Sequence, residues 1–216
     1  MFMKNIKVIV NEIFYSVQGE GVDTGLPTIF IRLTGCNLRC SYCDTKYAYY
    51  EGEELEAENI LKRIKEWKCR RICITGGEPL LQENVYDLID LLLKEKYEIS
   101  VETNGSIDIS KLVGRNVIIK MDIKLPSSGM HDKMKMDNIN LLRSHDELKF
   151  VIENREDYDY AKKLIEKYRP SCHIIMQPVW KKMEASKLAE WILEDGIDAR
   201  LSVQLHKILW GEKRGK

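Results

Sequence analysis

The sequence has no net charge: its 34 Lys and Arg residues are matched by 34 Asp and Glu. It has no dominant polybasic tract, which argues against a nucleic-acid or membrane surface, and the basic run Lys213-Arg214-Gly215-Lys216 reads as a solvated tail. Long apolar runs are also missing; the longest fall far short of the ~20 residues that a membrane helix needs. The first residues, Met1-Phe2-Met3-Lys4-Asn5, lead into a short apolar alternation and not into the apolar stretch of a signal peptide. Six cysteines without paired spacing speak against a secreted disulfide scaffold and for a reducing cytoplasmic setting. No repeat, low-complexity tract or Pro/Gly/Ser linker interrupts the chain, so residues 1–216 are expected to form one domain.

The most telling shortage is a missing cysteine. Cys36, Cys40 and Cys43 sit in Gly35-Cys36-Asn37-Leu38-Arg39-Cys40-Ser41-Tyr42-Cys43-Asp44-Thr45, a C-x3-C-x2-C run with no fourth cysteine nearby. Thiolates are the usual ligands of a cubane iron–sulfur cluster, so three of them leave one iron open to a substrate or cofactor. Structural zinc prefers four closed ligands, and the nearest histidine, His131, is far along the chain. A three-thiolate catalytic zinc supplied by one tight loop would be unusual. Buried core cysteines are the plainest alternative, but a loop rich in Gly, Asn, Arg, Ser and Asp does not resemble a core. A cluster is favoured; zinc and structural cysteine stay open as alternatives.

Around this loop, short β-rich runs alternate with helical patterns. Strands are predicted over 28–33, 72–75, 99–103, 116–123, 147–152, 173–176 and 200–203. Helices are predicted over 56–68, 85–96, 139–143, 158–168 and 185–194. Such βα alternation implies a parallel sheet with helical crossovers. About six units are too few for a closed eight-unit barrel of ~250 residues, so the expected α/β architecture is a partial, open TIM-type barrel. In such folds the ligand residues gather at the carboxyl ends of the strands. The cysteine loop, Gly76-Gly77-Glu78-Pro79 and Thr103-Asn104-Gly105 all fall there. So do Glu102, the Gln177-Pro178-Val179 run, and Asp122 with Lys124, which alternate onto one strand face. Cys69, Cys73 and Cys172 fall inside a strand or near strand entrances, away from that rim.

The cysteine run, with Tyr42 just before its third cysteine and Gly76-Gly77-Glu78-Pro79 about 30 residues on, resembles the radical S-adenosylmethionine superfamily. The resemblance implies a radical SAM core. It also implies a [4Fe–4S] cluster whose open iron binds the methionine moiety of S-adenosylmethionine, so that reduction yields a 5′-deoxyadenosyl radical. Ser16-Val17-Gln18-Gly19-Glu20-Gly21, the run Thr28 to Leu38, Cys43-Asp44-Thr45 and Val203 to Gly211 resemble, more narrowly, the 7-carboxy-7-deazaguanine synthase family over essentially the whole chain.

That resemblance implies conversion of 6-carboxy-5,6,7,8-tetrahydropterin to 7-carboxy-7-deazaguanine with loss of ammonia. Residue by residue, Val17, Gln18, Gly19 and Thr75 would contact the pterin, and Arg32 would bind its carboxylate, for which a guanidinium fork is apt. Tyr42, Gly77, Glu78, Asp122, Ile123, Lys124, Gln177, Pro178, Val179 and Trp180 would contact S-adenosylmethionine, and Thr45 would bind Mg²⁺. Asp122-Ile123-Lys124 departs from the small-residue-then-Pro pattern of related enzymes. His206 would either reach the site or finish the C-terminal packing. Further implications are an N-terminal substrate-binding segment over 11–27, a C-terminal extension over 199–216, a flavodoxin- or ferredoxin-type reductant and a homodimer. A glycyl-radical activating enzyme and a non-catalytic iron–sulfur or zinc protein are the alternative functions.

Overall fold

Side chains of a β-strand point alternately to its two faces, and in the central strands of this chain one face is apolar and the other polar. The computed structural model describes residues 6–216; the N-terminal run read above as lacking a signal peptide lies outside the described residues. The elements are β1 (Lys7–Val17), β2 (Pro27–Leu33), β3 (Glu53–Glu56), α1 (Ala57–Ile64), β4 (Arg71–Gly76), α2 (Val85–Lys94), β5 (Glu98–Thr103) and α3 (Ser110–Val113). They continue with β6 (Val117–Ile123), β7 (Glu147–Ile152), α4 (Arg155–Tyr168), β8 (His173–Pro178), α5 (Ala185–Asp195), β9 (Arg200–Leu201) and α6 (Leu205–Trp210).

All nine strands form one sheet in the order β3-β1-β2-β4-β5-β6-β7-β8-β9. Strands β2 and β4 to β9 run parallel, while β1 is antiparallel to both of its neighbours. The strand order does not close on itself, so the expected open barrel is what forms. Leu33, Ile74, Val101, Met121, Phe150 and Met176 are fully buried on its outer face. They share a core with Ile60 and Ile64 of α1, Leu88, Ile89 and Leu92 of α2, Tyr158 and Ala161 of α4, and Leu188 of α5. Burying each such aliphatic side chain contributes roughly 1.5–3 kcal/mol. Their sequence neighbours Arg32, Thr75, Glu102, Asp122, Lys149 and Gln177 point the other way, into the barrel.

Some expected elements change. Of the segment 11–27, residues 11–17 belong to β1, which pairs with β2, Pro27 begins β2, and the residues between form the hairpin loop. β1, β3, α3 and α6 had no predicted counterpart. α1 stops at Ile64 instead of running to residue 68, because the chain turns there and stacks Trp67 on Tyr15 at 5.9 Å. α2 stops at Lys94, where the chain turns and Lys96 takes a left-handed conformation. α4 begins three residues earlier than predicted, since the Asn154 side chain accepts from the Asp157 N–H at 3.0 Å and caps it. The helix predicted over 139–143 is a 3-10 turn at Met136–Leu141, and the strand predicted over 200–203 pairs at only two residues. No helix of the described residues is long and apolar enough to cross a membrane.

The amino-terminal side of the barrel is fastened by Asp146, which is fully buried. Its carboxylate accepts from the backbone N–H groups of Ile119 and Arg143, both at 2.8 Å, and from the Arg143 guanidinium at 2.9 and 3.0 Å. Arg143 in turn donates to the carbonyls of Val113, Arg115 and Val117. Removing one member of such a cluster leaves a buried charge uncompensated. Asp146→Ala is therefore expected to lower stability by about 3–5 kcal/mol, read as a fall in urea midpoint at unchanged m-value. A loss below about 1 kcal/mol would contradict this role.

Candidate active site

The carboxyl ends of the parallel strands surround a cavity of about 460 Å³ that contains all three triad cysteines among its lining residues. The triad loop leaves β2 through Gly35, whose φ of 100° is costly for other residues. Arg39 folds back to donate to the carbonyls of Cys36 and Leu38 at 2.8 and 2.7 Å. Ser41 ties the far side down, its backbone to Ser128 at 3.1 Å and its hydroxyl to Ser127 at 2.7 Å.

Beneath it runs the Gly76-Gly77 turn that ends β4. The Glu78 N–H donates to the Gly35 carbonyl at 2.7 Å. A Cβ on Gly77 would meet the Gly35 carbonyl oxygen and lie 2.7 Å from Cys36 Cβ; one on Gly76 would meet the Leu33 carbonyl. Gly77 is thus required by the close approach of the two loops, and Gly76 by the closeness of the β4 end to the end of β2. Glu78 is fully buried and does not line the cavity. Its carboxylate accepts from the Leu80 N–H at 3.0 Å, the Asn104 N–H at 2.7 Å and the Thr103 hydroxyl at 2.9 and 3.0 Å, so it pins the turn to the end of β5.

The three thiols are partly buried and free. Burial raises the thiol pKa of Cys36 and of Cys40, and the nearby Lys124 ammonium opposes it in both. The Leu38 N–H at 3.4 Å and the Asn104 amide at 3.9 Å approach Cys36 Sγ, donors of the kind that tune cluster sulfurs. Among the described residues, no group of three His, Cys, Asp or Glu is placed to hold one metal ion. Cys69, Cys73 and Cys172 do not line the cavity.

One wall is formed by Tyr42, Asp122, Lys124, Gln177, Pro178, Val179 and Trp180. Asp122 Oδ1, Gln177 Oε1 and Trp180 Nε1 are buried and have no hydrogen-bond partner among the described residues. Unpaired buried polar atoms are costly, and three on one cavity wall mark a surface built for a polar ligand. Ile123 is not part of it. Its side chain is fully buried in the core, on the strand face opposite Asp122 and Lys124.

The opposite wall is the hairpin loop. Val17, Gln18 and Gly19 line the cavity with Arg32, Thr75, Glu102 and His206. Glu102 orients two of them, accepting from the Thr75 hydroxyl at 2.8 Å and the Gln18 amide at 3.3 Å. Arg32 Nε donates to Glu12 at 2.8 Å. His206 packs against Gly19, where any Cβ would strike its ring, and burial lowers its pKa. Thr45 opens a 3-10 turn, yet its hydroxyl makes no capping bond; its contact is Cys43 Sγ at 3.8 Å.

Sequence reasoning missed the charges that hold this wall. Lys149 Nζ lies 2.7 Å from Glu20 and 3.4 Å from Asp122. Burial would raise the Glu20 pKa, but the Lys149 ammonium and the Gln204 amide hold it well below the usual range. Lys207 of α6 pairs with Asp44 of the cysteine loop. A lone lysine within the apolar run Leu148-Lys149-Phe150 was the available signal.

Thiols on one side of the cavity and unpaired polar groups on another define a radical S-adenosylmethionine enzyme, and residues 30–175 match the model of the Radical SAM superfamily. The cofactors of that class are a [4Fe–4S] cluster and S-adenosylmethionine. The chain is 37% identical over 209 residues to the 7-carboxy-7-deazaguanine synthase of Thermoplasma acidophilum, covering 96% of this chain and 100% of that one. It is 40% identical over 204 residues to that of Methanospirillum hungatei, covering 93% and 84%. The crystal structure of QueE from Escherichia coli superimposes with a TM-score of 0.78 at 25% identity, covering 93% and 95%. The chain belongs to the 7-carboxy-7-deazaguanine synthase family.

Burial pushes the Glu78 pKa up to about 7, against a usual value of 4.5. The native state then binds this proton more tightly than the unfolded chain does. The resulting stability is fully present below pH 4.5 and is lost as pH rises toward 7. Compared with Glu78→Gln, the cluster-free chain is expected to lose about 3 kcal/mol over that window, measured by urea unfolding of both forms. A pH-independent difference would contradict it.

Proposed function

We propose that this chain converts 6-carboxy-5,6,7,8-tetrahydropterin to 7-carboxy-7-deazaguanine with loss of ammonia, in 7-deazapurine biosynthesis. The observation that carries the reading is that the thiol loop, a guanidinium and the run Val17-Gln18-Gly19, where β1 enters the hairpin loop, face one cavity. What the cluster and S-adenosylmethionine supply when bound is a 5′-deoxyadenosyl radical that abstracts a hydrogen atom from substrate.

The residues of the chain orient the reactants and keep out water. Cys36, Cys40 and Cys43 would hold the cluster. Asp122 Oδ1 and Gln177 Oε1 can accept, and Trp180 Nε1 can donate, toward the polar groups of S-adenosylmethionine. Arg32 uses Nε on Glu12, which leaves its two terminal amino groups to fork the pterin carboxylate. Gln18 is held for the pterin by two contacts: its Nε2 donates to Glu102 and its Oε1 accepts from the Glu20 N–H at 3.2 Å. The Thr45 hydroxyl, free of a capping bond, would take Mg²⁺ together with waters or substrate oxygens, a usual arrangement for this ion. α6 covers the hairpin side, where the Leu205 N–H donates to the Gly19 carbonyl at 2.9 Å.

The reading extends to a single cytoplasmic domain that takes its electron from a flavodoxin- or ferredoxin-type partner. It also includes a homodimer, supported by the exposure of Ile208, Leu209 and Trp210 on α6. Anaerobic incubation of reconstituted protein with the carboxypterin, S-adenosylmethionine, Mg²⁺ and a reductant is expected to yield 7-carboxy-7-deazaguanine and ammonia. Cleavage of S-adenosylmethionine without that product would overturn the substrate and leave the radical chemistry standing.

A further inference from the structure

Arg214 lies beyond α6, yet its guanidinium reaches the wall that carries Arg32. Its Nε donates to Glu12 Oε2 at 3.1 Å, and its terminal nitrogens donate to Glu51 Oε2 at 2.9 Å and Asn11 Oδ1 at 3.1 Å. The same guanidinium stands 4.1 Å from the Tyr47 ring centroid. Glu12 is only 13% exposed. Its other oxygen, Oε1, accepts from Arg32 Nε at 2.8 Å and from the Tyr47 hydroxyl at 3.2 Å. One carboxylate is therefore divided between two guanidiniums, one oxygen to each.

The division has a chemical consequence. A carboxylate beside a guanidinium tends to take two of its N–H groups in parallel. An undivided Glu12 could do so, occupying Nε and one terminal amino group of Arg32 and neutralising its charge. With Oε2 drawn to Arg214, the terminal amino groups of Arg32 take no hydrogen bond among the described residues. The Arg32 side chain is itself only 14% exposed, so water does little to screen this competition.

We propose that Arg214 is a positioning residue for the substrate carboxylate: by dividing Glu12 it keeps the terminal edge of Arg32 available. The same contacts seat the last residues over the cavity, which Glu212 and Lys216 help to line. The proposal rests on the reading that Arg32 binds that carboxylate.

Calorimetric titration and steady-state kinetics of the reconstituted enzyme, with the carboxypterin and with tetrahydropterin lacking the carboxylate, test it. Arg214→Ala is expected to raise Kd and KM for the carboxylated ligand roughly fivefold, with kcat changed less than about twofold. Binding of the decarboxylated ligand and of S-adenosylmethionine stays as it was. Arg214→Lys restores part of the loss, because an ammonium can hold one Glu12 oxygen but cannot also keep the contacts to Glu51 and Asn11 that seat the guanidinium. In a Glu12→Gln background, Arg214→Ala adds less than about twofold, since the shared carboxylate is gone. Arg32→Gln, measured alongside, checks the parent reading. If it weakens the carboxylated ligand tenfold or more while Arg214→Ala leaves it unchanged, the positioning role is overturned and the parent reading stands. If Arg32→Gln leaves binding unchanged, the parent reading falls and this proposal falls with it. Equal weakening of both pterins, or of S-adenosylmethionine, by Arg214→Ala would reduce the tail to a cover and overturn the positioning role.

Discussion

Lys149 projects from the middle of β7 into the barrel, 2.7 Å from Glu20 of the hairpin loop and 3.4 Å from Asp122 of β6. A charge placed there, away from bulk water, has to be paired to be tolerated, and the pairing determines where the hairpin loop sits. Lys120 repeats the device one strand away, 2.9 Å from Asp23 of the same loop and 3.0 Å from Glu147. The loop is thus held across the open barrel by two lysines of the inner face. Gln18 and Gly19, which that loop carries, take their places in the cavity from this fastening.

The apolar outer face and the polar inner face divide the work. Isoleucines, leucines and aromatics under the helices make a core that needs no help from the ligands. The inner face is left free of packing duty and is built of charges, amides and hydroxyls. Loops at the strand ends add what strands cannot supply: three thiols on one loop, and a Gly-Gly turn at whose Gly77 that loop lies close enough to exclude any Cβ. Glu78 joins the two layers, since it is buried like a core residue while its hydrogen bonds fix a loop of the site.

Much of this was legible in the residues, and the exceptions have physical reasons. The parallel strands announce themselves as short β-branched runs between amphipathic helices, so the open βα barrel and the cysteine loop at its rim could be read directly. β1 could not, because a bulge between Val10 and Glu12 breaks its alternation just where two polar residues, Asn11 and Glu12, fall together. β3, with three glutamates in four residues, looks like a helix start and forms only because β1 offers it an edge. Ile123 was expected at the cofactor only through the family resemblance, and the alternation that puts Asp122 and Lys124 on one face puts its side chain on the other. The inward turn of Glu78 and the Lys149 and Arg214 contacts join residues far apart in the chain. No local pattern reports them.

Everything in the site presumes that three thiolates leave one iron open and that S-adenosylmethionine occupies it. The most direct measurement is the electron paramagnetic resonance spectrum of the anaerobically reconstituted, reduced protein, recorded before and after S-adenosylmethionine is added. The cluster signal, with about four irons per chain, is expected to shift on addition. A signal indifferent to S-adenosylmethionine, or a chain that retains zinc and no iron, would contradict it.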